Sequence, residues 1–248
     1  MTVLELDARG LHYRELNNRL RALVAERTPE AVALRGVIGQ RYLGTGLRSQ
    51  LRLEVHGTPG NDLGAFMDGP TIIVHGNAQD GVGNTLNAGE IVVHGRAGDI
   101  VGYSMRGGRL FVRDDVGYRA GIHMKAFGER QPVLVIGGTA QPYLGEYMAG
   151  GIIVLLGLTL PAGAYHAAEP IGSGMHGGAI YVRGMVEPWQ LGREVGTAPL
   201  DDTDRATVTG LVQDYARHFG VDPATILEAP FTRLFPLHLR PYGNLYAY

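Results

Sequence analysis

The sequence predicts an all-β fold: a single-stranded, right-handed parallel β-helix of about seven to eight coils, with short helical segments at both ends. Three observations carry this reading. Glycine makes up 38 of the 248 residues, about twice its average usage. A five-residue β-branched segment recurs at a near-constant interval, and a second motif, Gly-x-x-Met, keeps phase with it. The expected division is an N-terminal capping helix over residues 1–31, the β-helix over 32–184, and a C-terminal helix with an ordered tail over 185–248.

At the N-terminal end, Leu16, Leu20, Leu23 and Val24 keep helical spacing between Leu11 and Arg27. A helix there would cover the first coil, whose open strand edge otherwise invites further pairing. The repeat then begins, and 32 of the 38 glycines lie between Val32 and Gly184. Ile91-Val92-Val93-His94-Gly95 has its counterparts in Leu53–Gly57, Ile72–Gly76, Leu110–Asp114, Val133–Gly137, Ile153–Gly157 and Ile180–Gly184, with a weaker copy at Val32–Gly36. Side chains alternate along a strand, so the first and third residues, all Ile, Leu or Val, form the interior. The second motif runs Gly64…Met67, Gly83…Leu86, Gly102…Met105, Gly121…Met124, Gly145…Met148 and Gly172…Met175, preceded by Gly44…Leu47. Its Met/Leu column is expected to fill the same core from another wall. Its glycines are expected to turn the corners at positive φ, where a Cβ clashes.

The outward second column reads Ala33, Glu54, Ile73, Val92, Phe111, Leu134, Val154, Tyr181. An apolar ladder of this length needs a cover, which is either the chain's own terminal segments or another subunit. The outward fourth column opens His56, His75, His94. Three stacked imidazoles offer metal ligands in principle, but no carboxylate stands at the matching position to complete a site, and a solvated polar ladder is the competing reading. No residue is assigned to a metal, a cofactor or catalysis. Two insertions interrupt the repeat. Residues 125–132 carry Lys125, Glu129 and Arg130; residues 158–171 carry His166 and Glu169, a conceivable acid–base pair. Both read first as docking loops. After Gly184, Asp201 to Thr203 offer N-caps for a helix with Val208, Leu211, Val212, Tyr215 and Phe219 on one stripe, ended by Gly220. Asp222-Pro223 opens a short helical turn, and the stretch from Phe231 to Tyr248 reads as a tail laid on something apolar.

Composition closes off much chemistry. The chain has no Cys, one lysine (Lys125) and three serines, none of them in a nucleophile elbow. This excludes a cysteine nucleophile, disulfides and ordinary iron–sulfur ligation. A net charge of −2 gives no reason to expect nucleic acid or an anionic membrane as partner. No apolar run is long enough for a transmembrane helix, and a cytoplasmic location is expected.

The segments Gly98-Asp99-Ile100-Val101-Gly102-Tyr103-Ser104-Met105-Arg106-Gly107-Gly108 and Gly145 to Gly157 resemble the GXGXG family. More narrowly they resemble the C-terminal β-helix domain of the glutamate synthase large subunit, and the tail Arg240 to Tyr246 is similar to that of free-standing versions. The resemblance implies a non-catalytic scaffold subunit that docks a glutamine amidotransferase subunit to an FMN and iron–sulfur synthase subunit, with no cofactor in this chain. The same repeat occurs in one of the subunits of formylmethanofuran dehydrogenase and of related formyltransferase/hydrolase complexes, and in the third subunit of N-methylglutamate synthase-type enzymes. A free-standing enzyme or ligand binder using His166, Glu169 and the Lys125 loop is the remaining alternative.

Overall fold

The computed structural model describes residues 3–161 and 163–238. Each of the repeats is a strand: β2 (Ala31–Ile38), β3 (Arg52–Thr58), β4 (Asp68–His75), β5 (Ala88–Val93), β6 (Arg109–Val112), β7 (Val133–Ile136), β8 (Ala149–Leu155) and β9 (Gly177–Arg183). They stack in sequence order with parallel pairing throughout, giving a β-solenoid. A further rung, β1 (Val3–Asp7), pairs in parallel with β2 ahead of them. The N-terminal segment therefore contributes a strand as well as the expected helix, α1 (Tyr13–Arg27). Leu16 and Leu20 of α1 are buried on the end of the core, where Leu4 and Leu6 of β1 join them. The buried Asn17 amide donates to the Tyr13 and Arg41 carbonyls, tying α1 to the first coil.

The interior is built as the alternation requires. Leu53, Val55, Ile72, Val74, Ile91, Val93, Leu110 and Val112 are fully buried, as are Met67, Leu86, Met105, Met124, Met148 and Met175 from the turn wall. One rung departs from the expected register. Leu134, not Val133, pairs with Leu110, so Leu134 and Ile136 face the core and Val135 takes the outward place expected for Leu134. Val133–Ile136 is apolar at every position, so no polarity pattern marks which face is which. The adjacent Gly137-Gly138 pair allows either alignment.

The turn wall is unusual in its backbone. Asp62, Gly64 and Phe66 all have positive φ, and so do Gly81, Gly83, Thr85 and then Ile100, Gly102, Ser104 in the next two coils. Alternate N–H groups point in opposite directions along the stack. Asp62 donates to Asp80 of the following coil, Gly64 to Leu43 of the preceding one, and Phe66 to Asn84 of the following one. The turns are thereby hydrogen-bonded coil to coil, as the strands are. Glycine is required at the middle position: at Gly121 an added Cβ lies 2.4 Å from Cδ1 of Ile153.

At the other end β9 is followed by β10 (Val195–Pro199), α2 (Asp202–Phe219), α3 (Pro223–Leu227) and β11 (Phe231–Pro236). Strand β11 pairs antiparallel with both β9 and β10 and closes the stack. The described part of the tail is thus an internal strand between β9 and β10, and its first residue, Phe231, packs against the outward-ladder cluster. The rest of it, including Arg240 to Tyr246, lies outside the described residues.

The ladder is covered by α2. Asp201 caps this helix reciprocally with Asp204, and Gly220 ends it at φ +68°. Val208, Leu211, Val212 and Tyr215 form one buried cluster with Ile73, Val92, Phe111, Val135, Val154 and Tyr181. Polar contacts fix its seat. The Tyr215 hydroxyl donates to the Arg113 carbonyl over 2.8 Å, the Tyr181 hydroxyl to Asp204 over 2.6 Å, and Arg109 pairs with Asp214. Gly137 makes room for the first of these, since a Cβ there falls 1.9 Å from the Tyr215 hydroxyl.

Candidate functional site

The seating of α2 divides the histidine column. His94, on the coil after His75, meets the edge of Phe219 at 5.1 Å between ring centroids and belongs to the helix contact. His56 and His75 lie beyond it. Their rings stack at 4.4 Å and 12°, as parallel rungs place consecutive side chains of one column. Glu54, two residues before His56 on the same strand face, bonds through Oε2 to Nε2 of His75. Its Oε1 accepts from Nε of Arg52 over 2.6 Å. This corrects the expectation that no carboxylate completes the histidine ladder. The signal was present, because second and fourth residues of one strand share a face and Glu54 is the one charge in the second column. Burial works to raise the Glu54 carboxyl, but the hydrogen bonds from His75 and Arg52 outweigh it and hold the group below its ordinary range. Burial, with the nearby Arg35 and His75 charges, lowers His56. Burial also lowers His94, reinforced by His75, Arg113 and His218.

The second candidate pair is not assembled. His166 is buried while Glu169 is exposed. The His166 Nδ1 meets the Thr139 hydroxyl at 3.1 Å, and its carbonyl accepts from the Gln190 amide over 3.0 Å. These bonds clip the 158–171 insertion to the solenoid, and burial lowers the imidazole's proton affinity. An open depression of about 300 Å³ beside it is lined by residues including Leu156, Tyr165, Arg183 and Met185. Neither Glu169 nor Lys125 lines it. In the 125–132 insertion, Arg130 reaches back to Asp68 at 3.5 Å, and Lys125 is exposed.

With the ladder sealed, the exposed large apolar side chains lie elsewhere. Phe66, Tyr118 and Tyr147 stand on the turn wall, and Phe127 and Tyr165 on the insertions. Trp189 packs edge-on to Tyr165 at 5.6 Å. Phe66 and Tyr147 hold left-handed backbone positions that display them outward, and His123 stacks on Tyr147 at 5.3 Å. Sequence reading missed Phe66, His123 and Tyr147 as one row because they share a left-handed backbone position, not a residue type. No helix among the described residues is long and apolar enough to cross a membrane.

Comparison with known proteins agrees with this architecture. An uncharacterized protein of Methanocaldococcus jannaschii is 45% identical over 253 residues, covering 99% of this chain and 97% of that one. In the crystal structure of a formyltransferase/hydrolase complex from Methylorubrum extorquens with methylofuran, one chain has the same fold. The TM-score is 0.60 at 19% identity, with 94% of each chain covered. The model of the GXGXG motif matches residues 15–237, from within α1 to just past β11. Solenoid, end caps and covering helix are all inside that span, and the chain belongs to the GXGXG motif family.

Proposed function

We propose that this chain is a non-catalytic scaffold subunit of a multi-subunit enzyme, presenting its turn wall and insertions to catalytic partners. The observation that carries the reading is where the apolar surface lies. The interior is filled by aliphatic and methionine side chains, the lateral ladder is covered by α2, and among the described residues the exposed aromatics lie on the turn wall and the insertions, with Trp189 beside Tyr165. Tyr, Trp and Phe are enriched at protein interfaces over the rest of a surface. A cysteine-free chain with one lysine supports assigning the chemistry to other subunits.

Two complexes fit. The motif resemblance supports a glutamate synthase-like oxidoreductase, in which this chain docks an amidotransferase to an FMN and iron–sulfur subunit. The likeness to a chain of the formyltransferase/hydrolase complex over 94% of both lengths supports the second reading. Affinity purification of the tagged chain from its native host tests both. An amidotransferase with a flavin–iron–sulfur protein supports the first, and formyltransferase and hydrolase polypeptides support the second. A partner-free monomer overturns the scaffold reading. Phe66→Asp with Tyr147→Asp should release the partners while leaving the melting temperature of the chain unchanged.

A further inference from the structure

We propose that Glu54, His56 and His75 form a binding site for a zinc-like divalent transition-metal ion. Their ligand atoms, one from each side chain, all lie within 4.8 Å of one another. Two imidazoles and a carboxylate are a donor set that zinc accepts, with the fourth position left to solvent. Zinc bonds of about 2.0–2.2 Å set neighbouring ligand atoms somewhat over 3 Å apart, so the ion would replace the hydrogen bond between Glu54 Oε2 and His75 Nε2, these two parting slightly while His56 draws in. The site permits this. His75 is the most open of the three and both its partners are part-exposed, so side-chain rotation suffices and the strands stay where they are.

The surroundings fit a bound cation. Arg52 engages Oε1 of Glu54 and leaves Oε2 directed at His75, so the arginine orients the carboxylate without occupying the ligating oxygen. Such outer contacts fix ligand geometry in metal sites generally. His94 is excluded although it continues the same stack, because it packs against Phe219. The ion staples β3 to β4 on the outer face, and its open position points away from the solenoid, where an incoming anion or a partner's side chain can complete it.

Isothermal titration of the tag-free full-length chain with Zn²⁺, with Mg²⁺ as the control, tests the site. One saturable Zn²⁺ equivalent is expected, with none for Mg²⁺, which prefers all-oxygen shells. Each of Glu54→Gln, His56→Gln and His75→Gln should weaken Zn²⁺ binding at least about tenfold, as loss of a direct ligand implies. His94→Gln should leave it within about twofold. Co²⁺ substitution adds a readout independent of affinity: visible absorption of a four-coordinate site, lost in His75→Gln. Apo melting curves of all four variants establish that each is folded. Absence of saturable Zn²⁺ binding overturns the proposal, as does binding that survives His75→Gln and Glu54→Gln unchanged.

Discussion

Replacing Gly121 with alanine sets two costs against each other in a way the structure separates. Gly121 has φ +71°, and its new Cβ lies 2.4 Å from Cδ1 of Ile153, with Cγ1 of Ile153 next at 3.5 Å and Leu134 Cδ2 at 3.8 Å. Gly46 has nearly the same backbone, φ +68°, with nothing within 4 Å of its Cβ position. Gly46→Ala therefore reports the left-handed backbone alone, about 1–2 kcal/mol. Gly121→Ala adds overpacking of about 1–3 kcal/mol, for a total of about 2–5 kcal/mol. Ile153→Val deletes the clashing carbon and by itself costs about 0.5–1.5 kcal/mol. In the double variant the nearest remaining neighbours sit at ordinary contact distances, so the pair should be more stable than the two single costs predict by about 1–3 kcal/mol. Urea-unfolding midpoints at constant slope measure all four corners of the cycle. Costs that add to within about 0.5 kcal/mol, or a Gly46→Ala cost equal to that of Gly121→Ala, would refute the packing argument.

Phe111→Ala should cost about 3–5 kcal/mol, because Phe111 is fully buried between ladder and α2, and Tyr215→Phe about 1 kcal/mol for the bond to Arg113; a Phe111→Ala cost below about 1 kcal/mol in urea unfolding would show that α2 is not seated on the ladder. His56, His94 and His166 are held below the ordinary imidazole value, so the unfolded chain binds protons that the folded chain refuses. Stability should be full above about pH 6.5 and fall as the pH drops through the window below it, with His166→Gln flattening the slope in a thermal-melt series. Asp204 and Asp214 are also lowered, burial being outweighed by hydrogen bonds from Tyr181 and Arg109, and their contribution is lost only at more acid pH, below about 3.8.

The rungs were legible because two motifs keep one phase and each marks a different wall. Helix α2 was legible because its caps and its stripe agree. Strand β1 was not: Val3-Leu4-Glu5-Leu6-Asp7 alternates as a strand should, but Ala8 stands where the repeat has its glycine and no Gly-x-x-Met motif follows. The β7 register failed for the opposite reason, four consecutive apolar residues with no polar face. What covered the ladder could not be read from composition, since a helix stripe and a partner surface are equally apolar. At the histidine column, chain spacing placed the imidazoles correctly. It did not show that Glu54 turns toward the neighbouring coil's His75 rather than toward its own Arg52 alone.

Both ends of the stack are finished differently from its middle, by β1 with α1 at one end and by a reversal of strand direction at β11 at the other. Every strand from β2 to β9 is paired on both sides, and the sheet ends at β1 and at β10. The molecule is therefore a ruler cut to length. Seven rung-to-rung steps separate β2 from β9, about 34 Å at roughly 4.8 Å each. Any two partners gripping different coils are held at a separation set by how many repeats lie between them.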